Sequence, residues 1–304
     1  MKKSRIVNIF KNDNPDSAQI EERFKHRLEA AGFSVPGGFD PEAELLVCIG
    51  GDGALLNSLA SLEFPEIPII GVNTGHLGFF QDLQPHEMDE FISLYQSGDY
   101  KIQRLKTVSA EIVCAENDWA DNTRMDNACA DNARMDNACA DNARMDNVCA
   151  DNKTSYVMGL NEIVIRGAHS HVASLNIYIG ESFVETFRGD GVVVATPAGS
   201  TAYNYALGGS IVDPRLDLLQ VTPIAPINNS SYRSFTSGIL LPPHMSVNIF
   251  PEYTKKKDIL IAADGIEKMY SSVAHIHVGF SGSTVQLLRL SNYDFWNKVK
   301  IKLL

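Results

Sequence analysis

Apolar residues in this chain fall into short runs separated by turn residues. Leu45-Leu46-Val47-Cys48-Ile49 is closed by Gly50-Gly51, which predicts a buried strand that stops abruptly. Ala54 to Ala60 then predicts a helix. Ile6 to Phe10 and Ile67 to Val72 predict two further strands. Ile20 to Ala31 has helical periodicity and closes at Gly32, and Pro85 to Gln96 predicts an acidic-faced helix. Alternation of this kind over residues 1–104 predicts a parallel sheet with helices on its faces. From residue 105 the pattern turns to β. Glu162–Arg166, Leu175–Ile179, Gly191–Thr196, Ile239–Leu241, Ser246–Ile249, Ile259–Ala262 and Val273–Gly279 are short runs with turns between them. The expected fold class is an α/β N-terminal domain plus a largely β C-terminal domain at 105–280. A tail at 281–304 follows, with a final helix over Tyr293 to Lys300.

One stretch breaks this pattern. Residues 120–149 are three copies of a ten-residue unit, ADNTRMDNAC, ADNARMDNAC and ADNARMDNVC, and Ala150-Asp151-Asn152 starts a fourth. Three readings compete. A β-solenoid needs a bulky apolar residue once per coil, and here Asn holds the centre of every five-residue step. Cysteines ten apart lack the close pairing of zinc sites, and the Asp spacing does not match a calcium loop. With no Leu, Ile or Phe, the unit buries too little apolar surface to offset its ordering entropy. Residues 116–152 are therefore expected to be a low-complexity insertion. The flanks Lys101–Val113 and Lys153–Arg166 read as strands, so it is placed at a hairpin tip.

Charge changes the picture only through that insertion. The chain of 304 residues carries −11, of which residues 116–152 supply −6, leaving −5 for the rest. A general nucleic-acid binder is not expected. No apolar run approaches the ~20 residues needed to span a membrane. The apolar stretch after Met1-Lys2-Lys3 ends at Lys11-Asn12, too early for a signal core, so a first strand is expected there. Five cysteines and no signal segment point to the reducing cytoplasm, and Cys48 reads as an inert buried residue.

The chemistry begins at Gly50-Gly51-Asp52-Gly53, between a strand end and a helix start. It is either a plain tight turn or an anion cradle, since glycines let N–H groups approach a ligand and a helix N-terminus favours negative charge. A carboxylate beside such a cradle makes sense as a metal ligand or as a base taking a proton from an attacking hydroxyl. Asn161-Glu162 precedes a strand and can read a ribose diol or a purine amino group; it can equally be a turn. Thr196-Pro197 and Gly199-Ser200-Thr201 open a helix near Ala202, which Ser200 or Thr201 can cap. Hydroxyls, amides and Tyr203 at that corner suit a planar base with ribose attached.

Taken in order, these motifs resemble the NAD kinases. The resemblance rests on Gly50-Gly51-Asp52-Gly53, Asn73 to Phe79, Asn161-Glu162, Gly189-Asp190-Gly191, Thr196 to Tyr203 and Leu207-Gly208-Gly209. It covers the chain except residues 115–153. The first motif is shared with diacylglycerol, sphingosine and 6-phosphofructo kinases; the Thr196–Tyr203 run with Asn161-Glu162 is the specific part. Ile227 to Arg233 looks like the form in Gram-positive bacterial members.

The resemblance implies a two-domain fold with the NAD site between domains and the tail returning to the first. It implies phosphorylation of the adenosine 2′-hydroxyl of NAD to give NADP. Asp52 is then the base, and the amides of Gly50, Gly51 and Gly53 hold the phosphates of ATP or polyphosphate. Asn161 and Glu162 bind adenine or ribose, Thr201, Ala202 and Tyr203 hold adenine, Asp190 meets the nicotinamide end, and Gly53 and Phe79 line the site. Mg²⁺ is expected to arrive with ATP, with no protein metal site of its own. A homodimer or homotetramer is implied, in which a neighbouring subunit supplies Ala225, Ile227 and Asn229. Ala54 departs from the family, where Thr or Ser follows the loop, and loses a hydroxyl near the phosphates or a helix cap. The acidic insertion is not a family feature and is expected to project away from the cleft. Two alternatives are a non-catalytic nucleotide sensor and a lipid kinase of the same superfamily; the Thr196–Tyr203 corner argues against the latter.

Overall fold

A computed structural model describes residues 5–75, 78–115, 154–252 and 258–304. The elements run β1 (Arg5–Lys11), α1 (Pro15–Ala30), β2 (Phe33–Ser34), β3 (Leu45–Ile49), α2 (Asp52–Ser61), β4 (Pro68–Val72), β5 (Gln81–Leu83) and α3 (Met88–Ser97). They continue through β6 (Lys101–Cys114), β7 (Thr154–Gly159), β8 (Glu162–Gly167), β9 (Ala173–Ile179), β10 (Ser182–Gly189) and β11 (Gly191–Ala195). After the short helix α4 (Tyr203–Ala206) come β12 (Leu219–Ile224), β13 (Ile239–Leu241), β14 (Val247–Pro251), β15 (Ile259–Ala263), β16 (Ile266–Tyr270), β17 (Val273–Arg289) and α5 (Phe295–Leu303).

All five residues of β3 are buried, as a parallel strand covered on both faces requires. It pairs in parallel with β1 and β4. α1 and α3 cover one face of this layer through Phe24, Leu28, Phe91 and Tyr95, and α2 covers the other through Leu55 and Leu59. Helix α1 starts at Pro15, five residues before the apolar periodicity begins at Ile20. Asn14 accepts the N–H of Asp16, and Pro15 takes the first helical position, where its missing donor costs nothing.

The β layer is a sandwich. A six-stranded antiparallel sheet, β13-β12-β11-β8-β15-β16, packs on a larger sheet, and residues such as Ile165, Val194, Phe187, Ile249 and Ile276 fill the space between them. The larger sheet does not stop at the β layer. β17 pairs antiparallel with β6 and β14 and then parallel with β4, so one eleven-stranded sheet runs through both halves of the chain. The sequence-based boundaries at 104/105 and 280/281 fall inside β6 and β17.

β6 and β7 form an antiparallel pair in which Val113 faces Thr154. The decapeptide repeats between them lie outside the described residues, as does the expectation that they project away from the cleft. Cys48 is buried and free, and burial pushes its thiol up to about 12, which fits an inert packing role.

Candidate active site

The site starts where β3 ends. Gly50 has φ +147°, and its N–H donates to the Val72 carbonyl at 2.9 Å. A Cβ on Gly50 would lie 2.5 Å from the Ala54 Cβ, so the loop is closed by contact between these two positions. The Gly50 amide is therefore engaged within the protein, and the amides open to an anion are those that follow. Gly51 is the N-cap of α2 and no side chain caps the helix. The first N–H groups of a helix have no intrahelical acceptor, which leaves a partial positive charge at Asp52 and Gly53. Ala54 lies inside the first turn rather than at the cap, so it removes no cap.

Asp52 is held by backbone. Its Oδ2 accepts the N–H of Phe79 at 2.9 Å and its Oδ1 accepts that of Phe80 at 3.0 Å. Each oxygen keeps a lone pair for a further donor. Gly78 lies against it: a Cβ there would stand 2.4 Å from Asp52 Oδ1 and 1.6 Å from Gln81 Oε1. Gln81 is buried, and neither atom of its amide has a hydrogen-bond partner.

The second part of the site forms at the ends of β8 and β11. Asp264 accepts the N–H groups of Leu160, Asn161 and Glu162 at 2.6, 2.7 and 3.2 Å. That clamp fixes the turn carrying Asn161-Glu162. The Asn161 Oδ1 and Glu162 Oε2 are buried without a partner. Burial, aided by the Asp264 charge, pushes the Glu162 carboxyl up to about 8, and burial also raises Asp264. Thr196 joins this turn to the next segment: its N–H donates to the Asn161 carbonyl at 2.8 Å and its hydroxyl to the Leu160 carbonyl at 2.6 Å. A Cβ on Gly199 would lie 2.1 Å from the Asn161 carbonyl oxygen, so only glycine fits that approach.

The corner is built differently from the sequence expectation. Ala198–Thr201 is a 3₁₀ turn, and α4 follows at Tyr203 with no side-chain cap. Ser200 caps nothing. It is fully buried, its hydroxyl donates to the Val212 carbonyl and accepts the Val212 N–H, and it ties the corner to a distant loop. Thr201 bonds weakly to the Ala198 carbonyl at 3.5 Å. Asn204 fastens the rest, donating to the Ser200 carbonyl and accepting the Thr222 hydroxyl. Tyr203 is left exposed.

These two parts meet. Phe79, Phe80, Ala198, Thr201 and Phe295 line one small cavity. Leu55 of α2, Phe80, Leu160 and Ala198 belong to one apolar cluster. The structure thus sets the segments that carry Asp52-Gly53, Phe79, Asn161-Glu162 and Thr201-Ala202 against one another through these flanking residues. It does not bring Asp190, Ala225, Ile227 and Asn229 there. Gly191 faces Ile224 at one end of β11, and Ala195 faces Glu162 at the other. That separation, four residue steps, is about 14 Å at ~3.4 Å per residue. Asp190 is exposed and its N–H donates to Ile224, the Ile227 N–H donates to Arg188, and the Asn229 side chain closes its own turn by accepting from Ser231 and Tyr232. Ala225 adopts φ +44°, a left-handed conformation uncommon for alanine.

Among the described residues, no group of three His, Cys, Asp or Glu side chains is placed to hold a metal ion. No described helix is long and apolar enough to cross a membrane.

Family models describe both halves of the chain. The ATP-NAD kinase N-terminal domain matches residues 38–100 and the ATP-NAD kinase C-terminal domain residues 160–290. An NAD kinase of Finegoldia magna is 33% identical over 99% of this chain and 98% of its own length. The chain belongs to the NAD kinase family. Another family relative, from Latilactobacillus sakei, is 27% identical over 97% of this chain and 96% of its own. Two solved structures share the fold. The yeast NADH kinase complexed with NADH gives a TM-score of 0.75 at 21% identity, covering 100% of this chain and 88% of that one. An NAD kinase from Archaeoglobus fulgidus in complex with ATP gives 0.68 at 20% identity, covering 98% of each. Asp264, Gln81 and Asn204 were not legible as site residues. Asp264-Gly265 carries a hairpin signal, and both residues adopt positive φ between β15 and β16, but nothing local announces what its carboxylate holds.

Proposed function

We propose that the chain transfers the terminal phosphoryl group of ATP to the adenosine 2′-hydroxyl of NAD, giving NADP and ADP. The supporting observation is the pair of buried, unpartnered acceptors, Asn161 Oδ1 and Glu162 Oε2, in the neighbourhood of a carboxylate fixed at a helix N-terminus. Buried polar atoms are seldom left alone, and a nucleoside supplies the missing donors. With its carboxyl near 8, Glu162 is mostly protonated at neutral pH and offers both a donor and an acceptor, which suits a ribose diol.

In this reading Asp52 takes the proton of the 2′-hydroxyl as the oxygen forms its bond to the terminal phosphorus. The bond from that phosphorus to the bridging oxygen breaks, and its electron pair leaves with ADP. The first-turn amides of α2, at Asp52 and Gly53, face the donor phosphates. Thr201, Ala202 and Tyr203 flank adenine, and Phe79 closes the site. A divalent ion accompanying ATP neutralises phosphate charge; the residues present fit one held mainly by the nucleotide, with Asp52 able to supply an oxygen. In the same reading Asp190, Ala225, Ile227 and Asn229 serve a second chain of a homodimer or homotetramer, and the proposed location is the cytoplasm.

The test is NADP formation from NAD with ATP, GTP and polyphosphate compared side by side. Calorimetric binding of NAD without turnover on any donor overturns this reading in favour of a nucleotide sensor.

A further inference from the structure

The last helix is pinned at two levels. Asp294 caps it by accepting the N–H groups of Trp296 and Asn297 at 2.9 and 3.2 Å. Lys298 is buried and donates to the carbonyls of Phe79 and Gln81 at 3.1 and 2.8 Å and to the Asp82 carboxylate. The rings of Phe295 and Phe79 lie 6.3 Å apart. Four residues beyond Lys298, on the same helix face, comes Lys302. Its Nζ lies 3.6 Å from Asp52 Oδ2 and 4.6 Å from the centroid of the Phe79 ring. The Tyr205 hydroxyl donates at 3.5 Å to the Leu303 carbonyl, tying the helix end to α4.

An exposed lysine–aspartate pair contributes little to stability. This one differs in its surroundings. The two side chains are 25% and 29% exposed, and the carboxylate already satisfies two backbone donors. Around that single negative charge stand the ammonium of Lys302 and the positive end of α2. The balance favours a further anion.

We propose that Lys302 is a phosphate-binding residue of the reaction, paired with Asp52 when no donor is bound and moving to the oxygens of the transferring phosphoryl group when it is. This rests on the kinase reading above. The movement does two things at once. It sets a positive charge where negative charge spreads in the transition state. It also frees an Asp52 oxygen to receive the 2′-hydroxyl proton.

The test compares Lys302→Met and Lys302→Arg, with the exposed Lys300→Met as control, at saturating NAD and varied ATP. The methionine variant is expected to lose about 10- to 100-fold in kcat/KM for ATP, with KM for NAD within about twofold of wild type. The arginine variant recovers most of the loss, because the charge and reach are kept. The control is unchanged. The proposal is overturned if the methionine variant keeps its kcat/KM for ATP, if the arginine variant loses as much, or if the loss appears only in KM for NAD. Should the methionine variant fail to fold, Lys302→Gln carries the same comparison. If the wild type makes no NADP with any donor, the kinase reading fails, and calorimetric titration with ATP decides the role of Lys302: weaker binding in the variant supports it, equal binding overturns it.

Discussion

The Asp52 carboxylate accepts the backbone N–H of Phe79 at 2.9 Å, so the residue proposed as base is aimed by the segment that edges the cavity. An amide at position 52 presents its NH₂ to one of the two N–H donors from Phe79 and Phe80 and cannot take a proton. Asp52→Asn is expected to lower kcat by roughly 10²–10⁴ while NAD still binds. Initial rates of NADP formation, with NAD titrated by calorimetry, check both halves.

Gly78→Ala tests the aim of that carboxylate without touching its chemistry. The new methyl displaces the ends of two side chains, Asp52 and Gln81, rather than backbone. Activity should fall by about 10²-fold, the cost of a small misplacement of a reacting group, with a thermal midpoint close to wild type. Equal losses of activity and stability would show that the loop, not the carboxylate, had moved.

Glu162 links pH to stability. Its unfolded value is 4.5 and its folded value about 8, raised by burial and then by the Asp264 charge. Below pH 4.5 the group is protonated in both states and contributes nothing. Between 4.5 and 8 the unfolded chain releases a proton that the folded one keeps, so this group makes the fold progressively less stable as pH rises. Glu162→Gln should flatten the fall in thermal midpoint between pH 5 and pH 8, measured without nucleotide at fixed ionic strength.

Lys298 sits within a buried set of charges: Arg289 donates to both Asp82 oxygens at 3.0 Å, and Lys298 donates to one of them. Lys298→Met keeps the bulk and removes the bonds to Phe79 and Gln81. About 3 kcal/mol of stability should be lost by urea denaturation, since one partner of a buried ion pair is taken away while Arg289 remains. Activity should fall further than stability, because Phe79 loses its anchor.

Removing residues 116–152 and joining the strands by a tight turn should leave activity within about twofold of wild type, since β6 and β7 already pair with Val113 facing Thr154 and hairpin ends tolerate such changes. A collapse of turnover with the fold preserved would give the repeats a role in the reaction.

Much of this was legible in the chain. The β3–Gly50–α2 corner could be read because a fully buried strand, a positive φ and a helix start each leave a local mark. The fold class was legible in the alternation of apolar runs and turns, whereas the Asn161-Glu162 and Thr196–Tyr203 motifs stood out through the family resemblance. What failed was non-local. Ser200 has the composition of a cap, but Val212 takes its hydroxyl. Asp264 reads as a turn residue, and its task is to hold backbone 104 residues earlier. The start of α1 was missed because its first turn is polar and is set by Asn14 and Pro15 rather than by apolar spacing.

The parallel pairing of β17 with β4 has a consequence for how the protein is made. Gln286 faces Pro68, so part of the β4 edge waits for a strand encoded far downstream. At ~5–20 residues per second, roughly ten to forty seconds of translation separate the two. Throughout that interval a nascent chain displays unpaired backbone on an apolar layer, the kind of edge that invites pairing with another chain. The end of the message, which also encodes α5 and its lysines, therefore decides when the beginning becomes safe from aggregation.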